Sequence, residues 1–196
     1  MSLPADPVER HRSIAAHFAA TTEGVTDWDA PSPVPEWRVR DVVRHLVEWF
    51  PSFLEGGAGI TLPAVPDVDE DPVGAWREHA AHVQAVLDDP ATADLVLSNP
   101  NTGDVPLPDA IDRFYTNDVF MHTWDLARGA GLDDRLDDDE CARMVGGMEP
   151  MAEMLSSSGH FGTRVAVPDD ADAQTRILGI IGRDPSWAPT APPAGG

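Results

Sequence analysis

The sequence predicts an all-α fold, a helical bundle with additional helices and long connections. Three observations support this prediction: apolar residues recur at alternating steps of three and four, carboxylate caps precede several such stretches, and proline- and glycine-rich segments separate them. The chain has 196 residues, enough for one domain with a substantial core, and 42% of them are hydrophobic. We therefore expect a single helical domain over residues 1–187 and a disordered Pro/Gly tail over residues 188–196.

Six helices are expected, and three of them begin with an aspartate cap followed by proline or by an acid. The clearest is the fourth, which runs to Ala130 and is closed by Gly131. The predicted segments are 6–23, 39–54, one that begins at 71–72, 108–130, one that begins at 137 and is interrupted by Pro150, and 170–182. We expect loops at 56–70 and 90–105, and a short extended piece at 165–167.

The charge of the chain excludes several kinds of function. Its 13 cationic side chains are all arginine, and 34 acids bring the formal net charge to −21. Such a surface repels nucleic acid and anionic membranes, and no stretch approaches the ~20 apolar residues of a membrane-spanning helix. Because lysine is absent, Schiff-base chemistry, pyridoxal-phosphate chemistry and the lysine of a phosphate-binding loop are excluded.

The compartment is predicted from the N-terminus and from cysteine usage. The first residues lack the basic and apolar layout of a secretory signal. Cys141 is the only cysteine, so no disulfide can form within the chain, and we interpret this residue as a small core side chain. A cytoplasmic protein is therefore expected.

Three polar side chains occupy positions at which burial is expected. On the fourth helix, Asp118 and His122 are one turn apart on a single face, between large apolar residues. On the second helix, His45 lies between Val42 and Trp49 at helical spacing and faces inward or nearly so. An unpaired carboxylate in a core costs several kcal/mol, so Asp118 must be exposed, paired or bound to a cation.

Spacing leaves two interpretations open. One is an Asp118–His122 ion pair at the helix surface, with His45 as a separate buried histidine; spacing alone favours it, since such pairs are common and stabilise a helix by ~0.2–0.5 kcal/mol. The other is a divalent metal ion held by all three side chains, because helices whose axes are ~8–10 Å apart can bring them together. Three such ligands leave a fourth position on Zn²⁺ open for chemistry.

The two helices that carry these residues resemble the signature helices of a known family. The segments EWRVRDVVRHLVEW (36–49) and DVFMHTWDLARGAGL (118–132) are similar to those of the DinB-like, mycothiol-dependent maleylpyruvate isomerase N-terminal family. The ending SGHFGTRVAVPDDADAQTRILGIIGRDPSW (158–187) looks like the close of a short, single-domain branch. The resemblance implies a DinB/YfiT-like four-helix bundle with added helices, in which the metal ligands are His45, Asp118 and His122.

The resemblance also implies what the site would hold. Zinc is the expected metal, with nickel and manganese as alternatives, and mycothiol is the expected thiol cosubstrate. The isomerase is usually described with glutamate where this chain has the shorter Asp118, which would displace the ion towards the fourth helix or admit more water. We expect no counterpart of the isomerase's additional C-terminal domain, and this leaves the substrate open.

The remaining histidines are interpreted as ordinary residues. His79 lies on the inward stripe of the third helix and is expected to be a core histidine rather than a fourth ligand. His82 is one step off that stripe and is expected to be exposed. His11 and His17 have no partner visible in the sequence, and His160 is placed in a surface loop.

Asp125 keeps three interpretations, and most of the tryptophans have one. Asp125 would bond Arg128, cap a neighbouring helix, or support a metal-binding histidine. Four tryptophans are interpreted as aromatics that fill the bundle, namely Trp28, Trp37, Trp49 and Trp76.

Three functions follow from these expectations. The first is a metal-assisted, mycothiol-dependent transferase or isomerase acting on a small electrophile, with Arg44, Arg113 or Arg128 as anchors for a carboxylate group. The second is a non-catalytic, metal-stabilised helical homodimer that acts in stress response or partner binding. The third is a site without metal. A fourth protein ligand on the ion would favour the structural role, and an accessible open position would favour catalysis.

Overall fold

The computed structural model describes residues 2–100, 103–157, 159 and 161–189. The predicted all-α fold is confirmed, since the only sheet within these residues is one hairpin. In chain order the elements are α1 (Pro7–Gly24), α2 (Val39–Ala58), α3 (Pro72–Asp88), β1 (Val96–Asn99), β2 (Gly103–Pro106), α4 (Leu107–Ala110), a π-helix (Ile111–Thr116), α5 (Asn117–Ala130), α6 (Asp138–Met148), a 3₁₀ turn (Glu149–Met151), α7 (Ala152–Ser157) and α8 (Ala173–Ile180).

Four helices form the DinB-like bundle. α1 packs against α3 and α5, and α2 packs against the same two helices, while α6 and α8 pack on each other. The core between the four helices is rich in large aromatic rings, and Phe18 and Trp76 lie 4.3 Å apart between ring centroids. This arrangement sets α2 beside α5, so that polar side chains on their facing sides can meet.

The predicted caps are found where helices begin. The Asp6 carboxylate accepts from the backbone N–H groups of Val8 and Glu9, and Asp71 accepts from that of Gly74. Gly131 closes α5 with a positive φ of 69°, a conformation that favours glycine. Pro150 interrupts the helix after α6 as expected, and the chain continues through a 3₁₀ turn.

The fourth predicted helix has the expected extent but not a uniform geometry. Residues 111–116 form a π-helix, in which the backbone N–H of Asn117 donates to the carbonyl of Asp112, five residues earlier. A π turn accommodates one more residue than an α turn, and such turns are frequent near functional sites. The apolar spacing that predicted a continuous α-helix contains no signal for this wider turn.

Two connections differ from the prediction. Residues 90–105 are not only loop, because β1 and β2 pair as an antiparallel hairpin with Leu97 opposite Val105. α2 continues to Ala58, four residues beyond the predicted end, and ends at Gly59 with a φ of 69°. The two regions are in contact: Leu97 packs on the last turn of α2, where a Cβ at Gly57 would lie 2.7 Å from the Leu97 side chain.

The C-terminal region also needs two corrections. Residues 165–167 form no strand, although the Val165 N–H donates to the Gly179 carbonyl at 2.9 Å. The last helix is shorter than 170–182, because the Asp172 side chain caps α8 and the residues before it remain outside the helix. Residues 190–196 of the predicted tail lie outside the described residues, and the single domain over 1–187 stays a prediction. None of the described helices combines the length and apolar character needed to cross a membrane.

Candidate metal centre

His45, Asp118 and His122 meet where α2 packs against α5. One ligand atom from each side chain can be chosen so that all three atoms lie within 4.8 Å of one another. The His45 Nε2 lies 3.2 Å from Asp118 Oδ2, and the His122 Nε2 lies 3.6 Å from Asp118 Oδ1. His45 is therefore not a separate buried histidine, as one interpretation of the spacing required.

The cluster lies at the edge of the core, with one side open to solvent. The exposed fraction of the side chain is 32% for His45, 19% for Asp118 and 8% for His122. The cluster is therefore nearest to solvent on the His45 side and most buried on the His122 side.

A second carboxylate fixes the orientation of His122. Asp125, one turn further along α5, is fully buried, and its Oδ2 lies 2.9 Å from His122 Nδ1. The other partner of this carboxylate is Arg183, whose Nε and Nη2 donate to Oδ1 and Oδ2 at 2.8 and 3.0 Å. Three roles were considered for Asp125, and its contact with His122 favours the one in which it supports a metal-binding histidine.

Charges around this pair act on both pKa values. Burial alone would lower the pKa of His122, but the carboxylates of Asp118 and Asp125 raise it above its ordinary value. Burial would raise the pKa of Asp125, yet its hydrogen bonds to His122 and the nearby charge of Arg183 lower it.

Two tryptophans that pack against the core, as expected of bundle-filling aromatics, also line the cluster. The Trp49 Nε1 donates to Asp118 Oδ2 at 3.1 Å. The Trp37 ring stacks on His122 with 5.8 Å between centroids and an angle of 18° between the planes, and it also contacts His45. Both indoles are half-buried.

The remaining histidines lie elsewhere. His79 is buried among the rings of Phe50, Trp76 and Tyr115, and burial lowers its pKa to about 4, in agreement with a core histidine. His11, for which the sequence showed no partner, is fully buried, and its Nδ1 lies 2.9 Å from Thr116 Oγ1. The other three positions are as follows: His82 is half-buried rather than exposed, His17 is exposed, and His160 lies outside the described residues.

The three arginines proposed as substrate anchors differ in their surroundings. Arg44 forms ion pairs with Asp41 and Asp69, and Arg128 forms one with Asp134. Arg113 is exposed, lies 5.3 Å from the Phe114 ring centroid, and forms no ion pair within the described part of the chain. It is therefore the candidate whose charge is not already neutralised.

The donor set fits a divalent ion. Two imidazole nitrogens and one carboxylate oxygen are the ligands that zinc uses in three-ligand sites. In such sites a carboxylate typically accepts a hydrogen bond from the ring nitrogen that does not bind the metal, and Asp125 contacts Nδ1 of His122 in this way. Among the described residues, no further His, Cys, Asp or Glu joins the group. Metal binding at these residues stays a prediction.

Sequence reasoning missed Arg183, Trp37 and the use of Trp49 as a donor. Arg183 lies 58 residues from Asp125, so no periodicity along the chain connects them. The spacing of three between His122 and Asp125 places both on one helix face. This signal could have selected support of a metal-binding histidine as the role of Asp125.

Comparisons with known proteins match the region of the chain that contains the cluster. The family model of the mycothiol maleylpyruvate isomerase N-terminal domain matches residues 11–127, which include all three clustered side chains. Uncharacterized proteins of Mycobacterium tuberculosis, from strains CDC 1551 / Oshkosh and ATCC 25618 / H37Rv, are each 29% identical over 141 residues, which cover 67% of this chain and 71% of theirs. No solved structure is significantly similar. The chain belongs to the mycothiol maleylpyruvate isomerase N-terminal domain family.

Proposed function

We propose that this protein binds one divalent metal ion through His45, Asp118 and His122 and catalyses a thiol-dependent transfer or isomerisation of a small electrophile. The observation that supports this most is the convergence of three donor atoms within 4.8 Å, on a side of the bundle that solvent reaches. Zinc is the metal we expect, with nickel and manganese as alternatives, because zinc accepts two imidazoles and a carboxylate with a position left open.

The proposed chemistry requires a thiol that the chain does not supply. Cys141 is buried, and burial together with the neighbouring acids raises its pKa to about 12, so it is not a ready nucleophile. The chain has no lysine. Membership of a mycothiol-related family supports mycothiol as the external thiol. When bound, a divalent ion supplies Lewis acidity that lowers the pKa of a coordinated thiol.

The protein's own residues orient and shield the reactants. Asp125 accepts from His122, which keeps the Nε2 of that histidine free to face the cluster. Trp37 and Trp49 shield its flanks. Arg113 is the cation we propose as the anchor for an acidic substrate, because its charge is not paired with an acid in the described residues.

Metal analysis of purified protein tests the binding step. We expect about one divalent ion per chain, lost in His45→Ala and in His122→Ala. The matched control is His17→Ala, which removes an exposed histidine of α1. Equal, negligible metal in all four proteins would refute the proposed centre.

Activity is tested separately with mycothiol and a set of electrophilic acids. We expect turnover that is abolished by a chelator and restored by Zn²⁺, since thiol activation depends on the ion. Turnover that is insensitive to the chelator would refute the mechanism. Stoichiometric metal without turnover, combined with loss of a dimer on metal removal, would instead favour the non-catalytic homodimer.

A further inference from the structure

Arg183 makes a bidentate contact with a carboxylate that has no access to solvent. Its Nε and Nη2 donate to the two oxygens of Asp125, and its own side chain is 12% exposed. The same Asp125 Oδ2 contacts His122 Nδ1 at 2.9 Å. Both oxygens of the carboxylate are therefore used, one by Arg183 alone and one by Arg183 and His122 together.

The segment that carries Arg183 is built to hold this side chain in place. It follows α8, and the Arg183 backbone N–H donates to the Leu178 carbonyl at 2.8 Å. The preceding Gly182 has a φ of 78° and packs against the backbone of Gly162, where a Cβ would lie 2.4 Å from the nearest atom. The family match ends at residue 127, so Arg183 lies outside the matched domain, whereas its partner Asp125 lies within it.

We infer that Arg183 is a positioning residue for the metal centre: through Asp125 it holds His122 with its proton on Nδ1 and its Nε2 lone pair facing His45 and Asp118. An ionised carboxylate only accepts hydrogen bonds, so His122 Nδ1 must donate to Asp125. In a neutral imidazole the other nitrogen then carries the lone pair that a metal requires. The inference rests on the proposed function, since it assigns a role in metal binding.

The ordinary alternative is an ion pair that only fastens the C-terminal segment to α5. Under that alternative, loss of Arg183 lowers stability but leaves His122 unchanged. Under our inference, Asp125 loses two donors that hold its rotamer, and the bond to His122 loosens. Outer partners of metal ligands typically change metal affinity by about 10–100-fold.

Metal affinity of Arg183→Gln, measured by competition with a chromophoric chelator, is the first test. We expect binding weakened by about 10–100-fold. The control is Arg176→Gln, an equal change of charge on α8 at a half-buried arginine whose one acidic contact among the described residues, with Glu149, is at 3.6 Å. Circular dichroism and the melting temperature establish that each variant is folded. A folded Arg183→Gln protein that binds metal like the wild type would overturn the inference.

Dependence on Asp125 is tested with a double variant. If Arg183 acts through Asp125, Arg183→Gln causes no further loss of metal affinity in an Asp125→Asn background. If the two residues act independently, the losses caused by the two substitutions add. Full additivity would overturn the inference. Arg183→Lys keeps the charge without the bidentate contact, and we expect its metal affinity to lie between those of the wild type and Arg183→Gln. The lysine variant replaces the glutamine variant in these tests if the latter does not fold.

The tautomer of His122 provides a readout that needs no metal. At a pH above the raised pKa of His122, ¹⁵N NMR of the imidazole in the metal-free wild type should show the proton on Nδ1, and in Arg183→Lys or Arg183→Gln a mixture of tautomers. An unchanged tautomer in a folded variant would overturn the inference. Because this measurement is independent of bound ion, it separates failure of the positioning role from failure of the proposed metal centre.

Discussion

Asp118 is shared by three side chains at the mouth of the cluster. His45 and Trp49 contact its Oδ2, and His122 faces its Oδ1. In the absence of a cation, these contacts offset the cost of a carboxylate that is only 19% exposed. The same oxygen atoms are the ones that an ion would use, so ion binding must compete with contacts the protein already makes.

We predict that Asp118→Asn reduces metal affinity by at least about 100-fold, because loss of a ligand charge exceeds the typical effect of an outer partner. Asp118→Glu should retain binding, since it keeps the carboxylate on a longer stem. The control is Asp109→Asn, which neutralises an exposed acid of α4. Isothermal titration with Zn²⁺ measures all three, and tight binding by the asparagine variant would contradict the proposed ligand set.

At the level of single residues, the sequence predicts the members of the cluster but not their supports. A spacing of four on one helix placed Asp118 with His122, and resemblance of two segments added His45. Arg183 could not be found this way, because its contact with Asp125 depends on how α8 and the segment after it fold back on α5. Contacts of this kind become visible only in three dimensions.

At the scale of elements, the turn after α8 is sterically constrained. Gly182 combines a positive φ with close approach to Gly162, so any other residue there is strained and sterically blocked. The turn determines where Arg183 enters the bundle. Its stability is therefore coupled to the proposed metal centre.

We predict that Gly182→Ala lowers the free energy of unfolding by at least about 2 kcal/mol, the sum of the conformational and steric costs. It should also weaken metal binding, because Arg183 is displaced. The control is Gly147→Ala in α6, where an added Cβ has no neighbour within 4 Å and should be neutral or stabilising by up to about 1 kcal/mol. Urea unfolding measures both, and equal stability of the two variants would contradict the prediction.

The elements that the sequence predicts best are those with local signals. Caps at Asp6 and Asp71 predict where α1 and α3 begin, since a carboxylate satisfies free N–H groups within three residues. The hairpin was missed because Leu97 is its one fully buried side chain and its flanks are half-buried or exposed, so no alternating pattern is visible. Its stability comes from packing on α2, which is a tertiary contact.

The molecule as a whole combines a strongly acidic surface with neutral histidines in its core. Burial lowers the pKa of His11 to about 3, with smaller contributions from His79, Arg12 and Arg10. Burial likewise lowers the pKa of His79 to about 4, with a smaller contribution from His82. Both residues are therefore uncharged in the folded protein at neutral pH, while the unfolded chain takes up protons near pH 6.5.

We predict that this difference destabilises the protein as the pH falls from about 6.5 towards 4. In that range the unfolded state binds more protons, so each buried histidine removes about 1.4 kcal/mol of stability per pH unit. His79→Phe cannot take up the proton, and its unfolding free energy should fall less steeply by that amount. Urea unfolding of chelator-treated protein at several pH values measures the slope.

The control for this pH dependence is His17→Gln, which removes an exposed histidine. Its slope should match that of the wild type. A His79→Phe slope equal to that of the wild type would show that His79 does not contribute to the acid sensitivity.

The contacts of Trp37 and Trp49 have a practical consequence. One indole stacks on His122 and the other donates to Asp118, so two of the six tryptophans adjoin proposed ligands. Indole fluorescence responds to nearby charge, and a cation arriving between His45 and His122 changes the field at both rings. The intrinsic emission of the unlabelled protein therefore reports occupancy of the centre directly, without a dye.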